Sequence, residues 1–329
     1  MPTTLVTGAT GFLAGHCVQE LLKQGHKVIG TVRNVEKAQK LTDALNNSNL
    51  TLETVKDIRN EDEFEALFKK HKDLDYILHT ASPLTLNVED PEKDMLQPAI
   101  QGTLAVLKQA QKHAPNVKKV VITSSIAAMM NPDPSHVHNE DSWNPMTREQ
   151  AAQKGSPMAN YVGSKLFAEK AGREFLETQK PHFGVTWINP AYILGPGITL
   201  NLGAINTSNL LISSVLESKP GEDVQVHNGS WVDVRDCARA HVTALEPKFD
   251  SKRLMLCTGK VCTQDIEDIC NKIPELKGKI ATGEPGSRDK QLSKSIMDPS
   301  ETKRLLGFEW TSLDKSVTDF AEQWLKSKE

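Results

Sequence analysis

Short apolar runs alternate with amphipathic segments over roughly the first 190 residues of the chain. Thr3–Thr7 is a β-branched run typical of a buried strand, and apolar positions then recur at helical spacing until Gly25. The same alternation predicts five further strands, at His26–Val32, Leu50–Lys56, Leu74–His79, Val117–Thr123 and Val185–Asn189. Further helices are predicted at Glu61–Lys70, Met95–His113 and from Tyr161 to about Thr178. This order predicts an α/β fold, a doubly wound parallel Rossmann sheet.

The pattern becomes less regular after residue 195. It predicts helices at Leu210–Leu216, at Ser300–Leu306 and at Leu313–Leu325, and a strand at Arg253–Cys257. The segment Trp231–Asp236 is predicted to lead into a further helix that runs through Leu245. We therefore expect residues 1–194 and 231–250 to form an NADP-binding Rossmann domain. Residues 195–230 and 251–329 are expected to form a smaller C-terminal substrate-binding α/β domain. Residues 131–160, rich in Pro, Asn, Asp and His, are predicted to be a long loop.

Composition and charge narrow the classes of protein. The chain of 329 residues has 39 basic and 42 acidic residues, a net charge of −3, which gives no reason to expect a nucleic-acid partner. Its five cysteines form no CxxC pair, so we expect reduced, inert thiols and a cytoplasmic location. No signal peptide and no apolar run of membrane-spanning length is expected. His136 and His138 have no third ligand nearby, so no metal site is predicted.

A glycine-rich turn joins the first strand to the first helix. It has the spacing G-x-x-G-x-x-A, formed by Gly8, Gly11 and Ala14. Gly8 permits a tight turn, and Gly11 lets the backbone approach a pyrophosphate at the helix N-terminus. The pattern differs from the common G-x-G-x-x-G and indicates another subclass of dinucleotide site. An ordinary strand–helix turn is the alternative interpretation.

The second predicted strand runs into Arg33, and Lys37 lies one helical turn beyond it. Enzymes that prefer NAD place an acidic residue here for the ribose 2′-hydroxyl. Residues 25–35 contain no Asp or Glu, and a guanidinium suits a 2′-phosphate. A solvated basic residue is the alternative, but the pattern favours NADPH/NADP as the cofactor.

The candidate chemistry lies in Tyr161-Val162-Gly163-Ser164-Lys165. On a helix this spacing puts Tyr161 and Lys165 on one face. A neighbouring ammonium favours the phenolate, so we expect a lowered tyrosine pKa and a proton donor for a carbonyl oxygen. The pair also arises by chance in ordinary amphipathic helices. Ser125 follows the fifth strand, and parallel strands end at one edge of a sheet, so all these groups can meet over one cofactor.

Three motifs in this order resemble a known family. They are Thr7-Gly8-Ala9-Thr10-Gly11-Phe12-Leu13-Ala14, Thr123-Ser124-Ser125 and Tyr161-Val162-Gly163-Ser164-Lys165. Together they resemble the extended short-chain dehydrogenase/reductases. The likeness is greatest to the fungal NADPH-dependent methylglyoxal reductases and ketoreductases, with the plant dihydroflavonol and cinnamoyl-CoA reductases further off.

The resemblance implies roles for matching positions. Ser125 would hydrogen-bond the substrate carbonyl, Tyr161 would be the general acid, and Lys165 would bind the nicotinamide ribose. The implied cofactor-binding residues are Thr7, Gly8, Thr10, Gly11, Phe12, Leu13, Arg33, Lys37, Asp57, Ile58, Thr80, Ala81, Ser82, Tyr161, Lys165 and Pro190. The implied substrate-binding residues are Leu84, Ser125, Ile126, Tyr161 and Tyr192.

The resulting expectation is an NADPH-dependent carbonyl reductase of ketones, ketoesters, aldehydes or small dicarbonyls, acting as a monomer or homodimer. Aliphatic side chains at Leu84 and Ile126 predict broad specificity. Two alternatives stay open at this point. One is a plant-type reductase of ring or CoA-thioester substrates, and the other is a dinucleotide-sensing protein that has lost the chemistry.

Overall fold

A computed structural model describes residues 1–82, 88–200 and 205–328 of the chain. The strands are β1 Thr3–Thr7, β2 Lys27–Val32, β3 Leu50–Thr54, β4 Tyr76–His79, β5 Lys119–Thr123, β6 Val137–His138, β7 Gly184–Pro190, β8 Tyr192–Leu194, β9 Asn228–Asp233, β10 Arg253–Leu256, β11 Gly259–Cys262 and β12 Ile296–Met297. The α-helices are α1 Phe12–Lys23, α2 Gln39–Leu45, α3 Glu61–Lys70, α4 Gln97–His113, α5 Arg148–Ala151, α6 Pro157–Gln179, α7 Leu210–Leu216, α8 Val234–Thr243, α9 Thr263–Cys270, α10 Arg288–Gln291, α11 Ser300–Leu306 and α12 Leu313–Lys326.

Seven strands form one parallel sheet in the order β10-β7-β5-β4-β1-β2-β3. The central strands are apolar along their whole length because helices cover both faces of the sheet. Helices α1 and α8 pack on one face, and α3, α4 and α6 on the other. The predicted doubly wound Rossmann sheet is confirmed. Its order reverses at β1 and β4, where open sheets of this kind bind ligands.

A second, smaller layer follows the large sheet. Strands β11, β9 and β8 form a three-stranded sheet in which β11 and β9 are antiparallel and β8 and β9 are parallel. Helices α7, α9 and α12 pack around a separate apolar core that includes Trp231 and Phe320. The two-domain division stays a proposal. Strand β10, which that division assigns to residues 251–329, is the edge strand of the large sheet, so we propose to assign it to the first domain.

The sequence pattern placed most helices and strands within a few residues of their observed ends. The loop prediction for residues 131–160 was wrong in part. Within that range Val137–His138 pairs with Ile296–Met297, Arg148–Ala151 is helical, and α6 already begins at Pro157. Thr147 and Gln150 form a capping box that starts the short helix. None of the helices in the described ranges combines the length and apolar character needed to span a bilayer.

Candidate active site

The glycine-rich turn connects the end of β1 to the start of α1. It lies at the edge of the large sheet where β4 also ends. Gly8 has a φ of 69°, a left-handed conformation that disfavours residues with a side chain. A Cβ at Gly11 would lie 3.1 Å from the carbonyl oxygen of Gly8. Gly11 is the N-cap of α1 and supplies no side-chain cap, so first-turn N–H groups are available to an anion. Ala14 is buried in the apolar core between α1 and the large sheet. The turn therefore fits a dinucleotide pyrophosphate.

The predicted 2′-phosphate corner lies beyond β2. Arg33 follows the strand directly and is exposed, and its guanidinium makes no ion pair within the part of the chain that the structure describes. Lys37 lies in the turn Glu36–Ala38, and its side chain is outside the described residues. Asp57, predicted to contact the adenine, accepts from Arg59 Nε at Oδ1 and from Arg59 Nη2 at Oδ2, and these hydrogen bonds lower the pKa of that carboxyl. The neighbouring Ile58 packs against α4 at Gly102.

Thr7 and His79 join the ends of β1 and β4. The Thr7 hydroxyl oxygen accepts from the backbone N–H groups of Thr80 and Ala81, both at 3.1 Å. It also lies 2.9 Å from Nδ1 of His79. With both lone pairs used, the hydroxyl donates its proton to Nδ1, which leaves the imidazole proton on Nε2. Burial lowers the pKa of His79 to about 3, so the ring is neutral. The predicted Thr80–Ser82 segment is thus held against β1.

Helix α6 presents the tyrosine and the lysine to this edge. Pro157 occupies its first turn, where the missing N–H costs nothing. A Cβ at Gly163 would lie 2.2 Å from the Cβ of Ala151, so glycine is required for α5 to pack this closely on α6. Tyr161 and Lys165 lie on the same face of the helix, as predicted.

Ser125 stands between the end of β5 and the turn Ile126–Ala128. It is buried, and its hydroxyl oxygen accepts from the backbone N–H of Ala127 at 3.1 Å. The Ser125 hydroxyl lies close enough to the Tyr161 phenol to lower its pKa. Two of the three predicted catalytic groups are therefore near each other.

The electrostatics of the pair differ from the expectation. Burial raises the pKa of Tyr161, the nearby Ser125 hydroxyl opposes that rise, and the nearby Tyr192 phenol adds to it. The predicted lowering was therefore wrong for the protein alone, because desolvation of the phenolate is the largest cause of the shift. Burial also lowers the pKa of Lys165 to about 8. Lys165 lines a cavity of about 20 Å³ that His79, Ser124 and Glu169 share.

The substrate side of the site is partly described. Ile126 packs against Met129 and Met255, and Tyr192 begins β8 with 41% of its surface exposed, near Tyr161. Leu84 lies outside the described residues. Of the remaining predicted cofactor contacts, Thr10 is exposed, Phe12 is half-buried, Leu13 is buried, and Pro190 ends β7 beside Leu256 of β10.

Sequence reasoning missed a buried polar group below the serine. Glu169 accepts hydrogen bonds from Ser124 and Asn189, and Arg253 pairs with it. The signal for Glu169 was present, because it lies four residues after Lys165 on the same helix face. Arg253 gave no such signal, since its contacts with the site depend on the pairing of β10 with β7.

Histidines and cysteines elsewhere have structural surroundings. His138 accepts the N–H of Asn131 at Nε2 and donates from Nδ1 to the carbonyl of Ile296. All five cysteines are buried and free, as the sequence predicted, and burial raises the pKa of the Cys270 thiol to about 12. Within the described ranges, no group of three or more His, Cys, Asp or Glu side chains could hold a metal ion.

Known proteins similar to this chain share its fold and length. The sequence model of the NAD dependent epimerase/dehydratase family matches residues 4–255. The putative NADPH-dependent methylglyoxal reductase of Candida albicans is 40% identical over 335 residues, covering 98% of both chains. The NADPH-dependent methylglyoxal reductase of Saccharomyces cerevisiae is 39% identical over 338 residues, again with 98% of both chains covered. The crystal structure of Gre2 from Candida albicans in complex with NADPH superposes with a TM-score of 0.95 at 37% identity, covering 100% of both chains.

Proposed function

The chain belongs to the NAD dependent epimerase/dehydratase family, and we propose that it is an NADPH-dependent carbonyl reductase. The observation that carries the proposal is the placement of Ser125 near Tyr161, with Lys165 one helical turn away on α6. Full-length similarity to NADPH-dependent methylglyoxal reductases supports it. The predicted oxidoreductase class and cofactor are in accord with those relatives.

NADPH would be held by the Gly8–Leu13 turn, by Arg33 and Lys37 at the 2′-phosphate, and by Lys165 at the nicotinamide ribose. Bound there, the cofactor supplies a hydride to the carbonyl carbon. Ser125 would donate a hydrogen bond to the carbonyl oxygen, which stabilises negative charge as it develops. Tyr161 would give its proton to that oxygen, so that the alcohol leaves neutral. The ammonium of Lys165 would stabilise the tyrosinate that remains.

The proposed substrates are neutral ketones, ketoesters, aldehydes and small dicarbonyls of the methylglyoxal type. An aliphatic wall such as Ile126 binds apolar groups by area and discriminates weakly between them, since one methylene is worth only about 1–3 kcal/mol. Free 2-oxo acids would be poor substrates, because no arginine or lysine is among the proposed substrate-side residues. A plant-type reductase of ring or CoA-thioester substrates is the alternative within this chemistry.

The test is NADPH oxidation with a panel of carbonyl compounds, run on the wild type and on Tyr161→Phe. Methylglyoxal, ethyl pyruvate and an aryl ketone should be reduced, and pyruvate should be slower than its ethyl ester. Tyr161→Phe should lower kcat by about 10²–10⁴-fold while NADPH still binds. NADPH binding without turnover of any carbonyl would instead favour a dinucleotide-sensing protein, and full activity of Tyr161→Phe would remove the proposed general acid.

We also propose a cytoplasmic location and a monomeric or homodimeric state. The five buried thiols support a reducing compartment. Light scattering of the purified chain would give the oligomeric state, and imaging of a fluorescent fusion would give the location.

A further inference from the structure

We infer that Glu169 is a positioning residue for Ser125, tying the turn that carries the serine to the helix that carries Tyr161 and Lys165. This inference rests on the proposed function, because it names a residue that supports the same chemistry. It starts from a carboxylate that the proposed reaction does not itself use.

The side chain of Glu169 has no exposed surface. A buried carboxylate is unfavourable unless donors surround it, and here four do. Oε2 accepts from Ser124 Oγ at 2.6 Å and from Asn189 Nδ2 at 2.9 Å. Oε1 accepts from Arg253 Nε at 2.7 Å and from Arg173 Nε at 3.4 Å. Each oxygen therefore has its own set of donors.

The two donors to Oε2 both hold the serine turn. Ser124 directly precedes Ser125, and its backbone N–H donates to the carbonyl of Ile188 at 2.7 Å. Asn189 donates from the same Nδ2 to the carbonyl oxygen of Ser125 at 3.1 Å. One carboxylate oxygen thus fixes the residue before Ser125 directly and the backbone of Ser125 through Asn189.

Helix α6 carries Glu169 as well as Tyr161 and Lys165. Tyr161, Lys165 and Glu169 are spaced by four residues, so all three side chains project from one face of α6. The carboxylate therefore locates the serine turn relative to the helix that carries the general acid. A displacement of about 1 Å between reacting groups can cost about 10²-fold in rate.

Arg253, which donates to Oε1 of Glu169, is itself held in place by other contacts. Its guanidinium lies over the Trp143 ring at 4.0 Å and donates to the carbonyls of Glu140 and Ser142. Glu169→Gln keeps the shape but converts one oxygen into an NH₂ group. Whichever way the amide turns, either Arg253 or the Ser124 and Asn189 pair faces a donor instead of an acceptor.

The test compares Glu169→Gln with Lys119→Met. Lys119 begins β5, its side chain is 2% exposed, and it forms an ion pair with Asp250. It lies six residues before Ser125, about 20 Å along the strand at about 3.3 Å per residue. Each variant removes one partner of an ion pair at a buried side chain. Only Glu169→Gln should lower kcat, by about 10- to 100-fold, with the Kd of NADPH unchanged within about twofold.

A double-mutant cycle separates positioning from general damage. If Glu169 acts through Ser125, Ser125→Ala combined with Glu169→Gln should be no slower than Ser125→Ala alone. Multiplied losses, or an equal loss of kcat in Lys119→Met, would overturn the inference. Should Glu169→Gln not fold, Ser124→Ala removes one of the two Oε2 donors and should show the same coupling with a smaller loss.

A crystal structure of Glu169→Gln gives a readout that needs no activity. The Ser124–Ser125 turn should move so that the Ser125 hydroxyl leaves the Tyr161 phenol. An unmoved serine would overturn the inference even if the variant were slow. A wild type that reduced no carbonyl would contradict the proposed function alone, and the structure of the variant would still decide the role of Glu169.

Discussion

Lys165 lies one helical turn after Tyr161, and burial moves the pKa values of the two side chains in opposite directions. The phenol pKa rises, and the ammonium pKa falls to about 8. In the free protein the pair therefore favours a neutral phenol beside an ammonium that titrates near physiological pH. The proposed proton donor, Tyr161, is therefore kept in its donating form, and the charge proposed to support it depends on pH.

The lowered pKa of Lys165 predicts that kcat/KM falls on the alkaline side of its pH profile. Lys165 is charged below pH 8 and loses its proton as pH rises through about 8. Since kcat/KM reports groups of the free enzyme, kcat/KM for carbonyl reduction should be full below that pH and fall above it. Lys165→Arg keeps the charge at every accessible pH and should remove the limb, whatever its absolute rate. A wild-type profile that stays flat to pH 10 would contradict the lowered pKa.

The same shift predicts a stability gain on removing the lysine. The pKa of Lys165 is lower in the folded chain than its ordinary 10.5, so its charge is destabilising wherever it is held below pH 8. At pH 7 the shift corresponds to about 3 kcal/mol. Lys165→Met should therefore unfold at higher urea concentration than the wild type, although it should lose most of its activity.

The gain should shrink as pH rises from 8 toward 10.5, because the folded wild type no longer holds the charge. The exposed Lys219 provides the control, since Lys219→Met should change the free energy of unfolding by less than about 0.5 kcal/mol. A Lys165→Met variant less stable than the wild type at pH 7 would show that the lysine makes stabilising contacts that offset its desolvation.

The sequence predicted the first half of the fold well because buried parallel strands are continuous apolar runs. It did not predict β8, β9 or β11, which are short and depend on pairing between distant segments. The same reason explains Val137–His138, whose partner strand lies 158 residues further along the chain.

Some features of the candidate site also follow from the sequence alone, and others depend on the tertiary structure. The helical spacing of Tyr161 and Lys165 follows from the sequence alone. The direction of the Tyr161 pKa does not, because local spacing carries no measure of burial. Nor does the pairing of Glu169 with Arg253, 84 residues apart, which requires the order of the strands in the sheet.

Cofactor preference is tested at Arg33. Its exposed guanidinium stands at the end of β2, where a 2′-phosphate would lie. A charge-assisted hydrogen bond contributes about 1.5–3 kcal/mol, so Arg33→Ala should weaken NADPH binding by about 10- to 100-fold and leave NADH binding nearly unchanged. Fluorescence titration with both cofactors measures this, with Arg304→Ala as a control at an exposed arginine that pairs with Glu301. Equal loss for the two cofactors would mean that Arg33 does not read the 2′-phosphate.

The last prediction concerns the shape of the substrate pocket. The ring of Tyr192 lies against Gly229 of β9, where a Cβ would come within 2.6 Å of the ring carbon Cε2. Gly229→Ala must therefore move that ring, and Tyr192 is close enough to Tyr161 to influence its titration. Because the proposed cofactor-binding residues belong to the large sheet and its loops, the Kd of NADPH should stay within about twofold of the wild type.

The displaced ring should change substrate preference rather than abolish turnover. A difference the size of one methylene is worth about 1–3 kcal/mol, so the ratio of kcat/KM for an aryl ketone to that for methylglyoxal should change by about tenfold or more. Gly259→Ala is the matched control in the neighbouring strand β11, because its Cβ would meet only Trp231 at an ordinary 3.6 Å. If both alanine variants left the ratio unchanged, Tyr192 would not be a wall of the substrate pocket.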